Sequence, residues 1–293
     1  MVKRRTFSEV VINIIVGLLG VICLIPVLNT LAISLSDKTS AMLGQVYFIP
    51  KNFNLSAYEE ILDDTRFFRA FGVSVVRVIL GAGLSTFISL VMAYPVSRPE
   101  REFPARKVYM WILVFTMLFN GGMVPTFMVV RGMGLIDSIW ALVLPCAVST
   151  FNVLILMNAY RGIPNALCEV ATIDGASPLK ILFSIYIPLA KASIATILLF
   201  SAVNHWNAFF DGKIYINSPT KIPLQTYIQS LRFQVSVETL QNMDPESLQK
   251  KLEMSSLTFN AAKAIVSMLP IVIIYPFLQR YFVVGLTIGA VKE

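Results

Sequence analysis

Side chains that usually carry chemistry are scarce in this sequence, and the scarcity narrows what it can do. His205 is the only histidine, so a histidine metal cluster cannot be built. Neither a nucleophile–base pair nor two carboxylates within one apolar run can be assembled. No catalytic residue and no metal site is assigned, and the phosphate-cradling pattern G-x-x-x-x-G-K-[ST] is missing too. What the apolar runs do hold is uncharged polar groups, chiefly Asn120, Asn152, Asn204 and Asn207 with Trp206 among them. Amides donate and accept, and an indole can stack on a sugar face. These five are therefore candidates for lining the path of a neutral, hydroxyl-rich solute, although bonding between helices is an equally available role for each. His205 reads as a packing residue. Arg77 lies one to two turns inside the second apolar run, where its long side chain can snorkel to the outer surface. Cys23, Cys146 and Cys168 read as structural thiols with no disulfide framework.

The elements that must position these groups follow from composition. The chain has 293 residues, of which 56% are hydrophobic and 14% charged, and a mean hydropathy of +0.71. A soluble domain carries about a quarter charged residues. A hydrocarbon layer about 30 Å thick needs roughly 20 apolar residues per helix, with backbone groups satisfied internally. Six runs meet that length, at about 10–35, 71–95, 108–130, 139–160, 193–210 and 259–284. The expected fold is all-α, a polytopic membrane protein of six transmembrane helices. Residues 1–9 form the first tail, and the run that follows is too long for a signal-peptide core.

Lys and Arg set the orientation. With both ends cytoplasmic, the inner segments collect Lys3, Arg4, Arg5, Arg98, Arg101, Arg106, Lys107, Arg161, Lys180, Lys191, Arg280 and Lys292, against Lys38, Lys51, Arg66, Arg69 and Arg131 in short outer loops. The net charge of +7 is then topological and names no nucleic-acid partner. Residues 211–258 form a long outer loop, expected to hold a small ordered cap, and 285–293 form a cytoplasmic tail. A stand-alone channel or ion-coupled carrier for a small neutral solute would need an acidic group at membrane depth, and no Asp or Glu falls within the six runs.

The inner loop 161–192 is the most informative segment. Pro164 and Asn165 open a short helix; Leu167, Val170, Ala171 and Ile173 make its apolar side; Gly175 ends it. A short amphipathic helix facing the cytoplasm is a docking peg.

The string Glu169-Val170-Ala171-Thr172-Ile173-Asp174-Gly175-Ala176, with Ile187-Pro188-Leu189 about a dozen residues on, resembles the EAA loop of binding-protein-dependent ABC importer permeases. Val170 stands for an alanine of the pattern and Ile187 for a leucine. Ala93-Tyr94-Pro95-Val96-Ser97-Arg98, the turn from Phe119 to Pro125, Trp206-Asn207 and the ending Tyr275 to Lys292 are similar to the carbohydrate-uptake, maltose-type branch. Within that branch they resemble the permeases of complex or uronic-acid-containing oligosaccharide systems. The resemblance implies a type I importer permease fold. It also implies contact of Glu169, Ala171, Asp174, Gly175, Ala176 and Pro188 with an ATPase subunit, and a second ATPase contact at Gly289, Ala290 and Lys292. The implied partners are a homologous second permease, two cytoplasmic ATPase subunits that bind ATP and Mg, an extracellular solute-binding protein, the lipid bilayer and an oligosaccharide. No cofactor is implied on this chain.

Overall fold

Glycine, proline and serine set where the helices stop. The computed structural model describes residues 7–233 and 257–290, and every regular element among them is helical. In chain order these are α1 (Phe7–Ser34), α2 (Lys38–Met42), α3 (Ser56–Asp63), α4 (Thr65–Ser97), α5 (Arg106–Leu118), α6 (Met123–Gly132), α7 (Trp140–Val143) and α8 (Thr150–Arg161). They continue as α9 (Asn165–Ile173), α10 (Pro178–Ile181), α11 (Ile187–Leu189), α12 (Lys191–Asn207), α13 (Phe210–Tyr215), α14 (Leu224–Phe233) and α15 (Leu257–Ala290). Three stretches, Val11–Ser34, Thr65–Ser97 and Leu257–Pro276, are each long and apolar enough to cross a membrane unaided. Three bent helix pairs bring the number of candidate spans to six.

Those bends are where the structure departs from the six continuous runs. The run at 108–130 is α5 and α6, turned by 116°. Gly122 between them has φ +89°, a region that residues with a Cβ avoid, and Asn120 Oδ1 accepts its amide at 2.9 Å. The run at 139–160 bends by 50° after a 3₁₀ turn holding Pro145, and Ser149 starts α8 anew by accepting from Asn152 N. The run at 193–210 is α12, which ends at Asn207; an 84° corner separates it from the segment Pro178–Leu189.

The described residues fall into two compact units. In one, the residues up to Thr65 are grouped with Ile228–Pro270. Most of α1 before Ala32 is exposed within this chain, which leaves its apolar faces to lipid or to other subunits. Past α1 the chain is pinned by Asn29, which donates to Tyr47 O at 2.6 Å, and by the hydroxyls of Ser34 and Tyr58 at 2.8 Å. Asp37 caps α2 by accepting from Ser40 N, and the Ser40 hydroxyl first, then that amide, hold its carboxyl below the usual carboxylate range.

In the other unit, Arg66–Tyr227 and the residues from Ile271, α4 is the axis. Ser74, Gly81, Ala82, Ser85, Ser89 and Ala93 are buried along it, small side chains that let neighbouring backbones come close. One apolar cluster joins Ala93, Leu113, Leu156, Ile181 and Ile197. Another joins Val130, Leu142 and Tyr215. The expected cap in 211–258 is described as far as Phe233; its remainder, including Asp244 to Glu246, lies outside the described residues.

Arg77 does not snorkel. It is fully buried (0% exposed), ion-paired to Asp211, with Nη1 donating to Ala208 O at 3.1 Å. A charge that meets a carboxylate and a carbonyl inside the protein gains nothing by reaching for water.

Candidate functional site

The loop 161–192 is built by local rules. Pro164, at φ −59°, precedes α9, and at the other end the amides of Asp174, Gly175 and Ala176 return to the carbonyls of Val170, Thr172 and Ala171. Gly175 adopts φ +75°, the left-handed residue that ends a helix and is natural for glycine. Ser177 then accepts from Lys180 N to start α10. A π turn over Leu182–Tyr186 follows, and the chain corners at Ala190, just after Pro188.

The apolar residues of α9 divide between two faces. Leu167, Val170 and Ile173 are exposed, Ile173 to 85%. Cys168 is 3% exposed, its thiol donating to the Tyr186 hydroxyl at 3.2 Å, and Ala171 and Ala176 pack on the cluster around Leu156 and Ile181. The single apolar side expected for Leu167, Val170, Ala171 and Ile173 is therefore two sides, because the 100° step of the helix puts residue 168 with 171 and residue 170 with 173. Glu169, Asp174, Gly175 and Pro188 are exposed. The peg is gripped from behind by Cys168 and presents Leu167, Val170 and Ile173 outward.

A second feature is a cleft of about 640 Å³ in the same unit, lined among others by Ser85, Ser149, Asn152, Ser201, Asn204 and Asn207. Phe151, Phe200 and Tyr275 also line it, and the first two rings lie 6.1 Å apart. Among the described residues no Asp, Glu, Lys or Arg lines it. Such a wall offers hydroxyls, amides and ring faces, the groups that recognise a sugar's hydroxyls and its apolar patches. Asn152 also donates to Ser201 at 2.9 Å, so it both ties α8 to α12 and faces the cleft.

Three of the five residues proposed for a solute path come together here. The other two serve elsewhere: Asn120 holds the turn before α6, and Trp206 is buried edge-on to Phe71, with centroids 5.6 Å apart. His205 packs against Gly81 so closely that a Cβ there would lie 2.5 Å from its ring. Gly289 and Ala290 are in the last turns of α15, and Lys292 lies outside the described residues. Residue-by-residue reading missed the Arg77–Asp211 pair. The available signal was the one basic residue inside the second apolar run and the acidic residue directly after the fifth.

Comparison with known proteins shows the family. Residues 70–287 match the family described as "Binding-protein-dependent transport system inner membrane component". The chain is 36% identical over 290 residues to the polygalacturonan/rhamnogalacturonan transport system permease protein YtcP of Bacillus subtilis (strain 168), covering 99% of both chains. It is also 36% identical to protein LplC of the same organism, over 94% of this chain and 92% of that one. Among solved structures it superposes, with a TM-score of 0.82 and 30% identity over 95% of this chain and 99% of the other, on a chain of a bacterial ABC transporter involved in the import of the acidic polysaccharide alginate. An all-helical chain with up to six candidate spans, a polar cleft and an exposed glycine-terminated peg is thus a multi-pass membrane protein that belongs to the binding-protein-dependent transport system inner membrane component family, a permease subunit whose ATPase is a separate chain.

Proposed function

We propose that this chain is one half of the translocation pathway of an ATP-driven oligosaccharide importer, with α9 as the peg that enters a groove on a cytoplasmic ATPase subunit. One observation carries the reading: a short exposed helix displays Leu167, Val170 and Ile173 on one side while Cys168 anchors the other. Apolar side chains so displayed on a short, rigid helix are what a partner groove buries. Glu169, Asp174, Gly175 and Ala176 would shape that contact, with Gly289, Ala290 and Lys292 as a second one. ATP and Mg belong to the ATPase.

The complete assembly in this reading holds a homologous second permease, two ATPase subunits and an extracellular solute-binding protein, with both ends of this chain cytoplasmic. Two of the relatives are named for polygalacturonan and rhamnogalacturonan or for alginate, which supports an oligosaccharide of the complex, uronic-acid-containing kind. An ion-coupled carrier would need a carboxylate free to bind its ion, and Asp211 is tied to Arg77.

The test is Ile173→Glu in the assembled complex. Burying a charge in place of an apolar anchor costs an interface about 2 kcal/mol or more, so uptake should fall at least tenfold and the ATPase subunit should dissociate on size exclusion. The thermal unfolding of the isolated chain should stay within about 0.5 kcal/mol, as for a surface change. Uptake unchanged in this variant would remove α9 from the mechanism.

A further inference from the structure

Behind the peg, two donors from separate stretches of chain meet at one oxygen, and the rings of Tyr94 and Tyr160 pack around it. Cys168 of α9 donates its thiol to the Tyr186 hydroxyl at 3.2 Å, and Arg98, just past the end of α4, donates to the same oxygen from Nη1 at 3.1 Å. Arg98 Nη2 donates to the Tyr94 hydroxyl at 3.3 Å, and its Nε pairs with Glu102 at 3.2 Å. The rings of Tyr94 and Tyr160 stand edge-on to Tyr186, each with centroids 5.1 Å apart, and the Arg98 guanidinium lies 5.2 and 5.5 Å from the Tyr94 and Tyr186 ring centres. Tyr186 is 2% exposed and ends the π turn Leu182–Tyr186. The extra residue of such a turn re-aims a side chain without ending the helix, a device frequent at functional sites.

We infer that Tyr186 is the positioning residue that transmits movement of the peg to the second span: its hydroxyl oxygen takes one bond from α9 and one from the end of α4, so neither element can shift without the other. The inference rests on the coupling role proposed for α9 and names the residue through which that role reaches the bundle. A charged donor makes the Arg98 bond the stronger of the two, and the crossed ring stacks fix the direction in which the phenol can move. Tyr160, 1% exposed, closes the ring cluster from α8.

The test uses the whole complex in proteoliposomes and reads uptake per ATP hydrolysed. Tyr186→Phe keeps the three-ring packing and removes only the shared acceptor; the ratio should fall about tenfold, the factor one charge-assisted hydrogen bond is worth. Cys168→Ala should lower the ratio in the same direction, and Cys168→Ser, which restores a donor, should recover it. A benzophenone carried on Ile173→Cys reports in parallel whether the peg still touches the ATPase. An unchanged ratio in Tyr186→Phe, or uptake and hydrolysis falling in proportion while the cross-link forms, overturns the inference and leaves the coupling role of α9 standing. No cross-link in a chain otherwise unaltered overturns that role, and this inference with it.

Discussion

At the scale of single residues, Gly81 is a position where the fold leaves little room for a Cβ. A Cβ on it would meet His205 Cε1 and Nε2 at 2.5 Å and Cδ2 at 2.7 Å, and His205 is itself only 4% exposed. Gly81→Ala gains up to about 1 kcal/mol of helix propensity but forces an overpacked contact worth about 1–3 kcal/mol, so thermal unfolding in detergent should show net destabilisation. In a His205→Ala background the clash is gone and the same substitution should be neutral or stabilising, a coupling that a double-mutant cycle measures. Arg77 makes the complementary point. Its charge was legible in the second apolar run, but its partner Asp211 lies 134 positions away, and no local pattern pairs residues at that distance.

Among the elements, the segment joining α6 to α7 shows how a surface loop is held. Asp137, at φ +62°, accepts from the Asn217 and Ser218 amides, the Ser218 hydroxyl and Lys221 Nζ, the last at 2.9 Å. Ser218 first, then Lys221, holds its carboxyl well below the usual carboxylate range. A depressed carboxylate pKa stabilises above the unfolded value of about 3.9 and is lost as pH falls through the lower folded value. Asp137→Asn keeps an acceptor and tolerates the left-handed backbone, but loses the charge. Hydrogen exchange at the Ser218 amide should be several-fold faster in the variant at pH 7, and the difference should vanish only in acid well below pH 3.9. Equal exchange at neutral pH would mean that the backbone alone shapes the loop. The peg is legible in the same local terms: Gly175 announces the end of α9 because only glycine takes φ +75° without strain.

For the whole molecule, the orientation proposed from Lys and Arg puts α9 on the inner side, and Ile173→Cys reports it directly. A membrane-impermeant maleimide should label that thiol in inside-out vesicles stripped of the ATPase subunit and leave it unlabelled in intact cells; labelling from outside would reverse the topology and detach the peg from any ATPase. Which runs are apolar enough to enter a membrane, where a short helix begins and ends, and which residue types are on hand were determined by the sequence itself. They depend on apolar length, on backbone freedom at glycine and proline, and on residue type, and all three are local. Which face of α9 turns inward, whether an asparagine lines the cleft or serves a turn, and what neutralises Arg77 were decided only by the tertiary structure. Each depends on side chains that the chain brings together from α4, α8, α12 and α13, and the energy of burying a polar group is set by the neighbour it finds there.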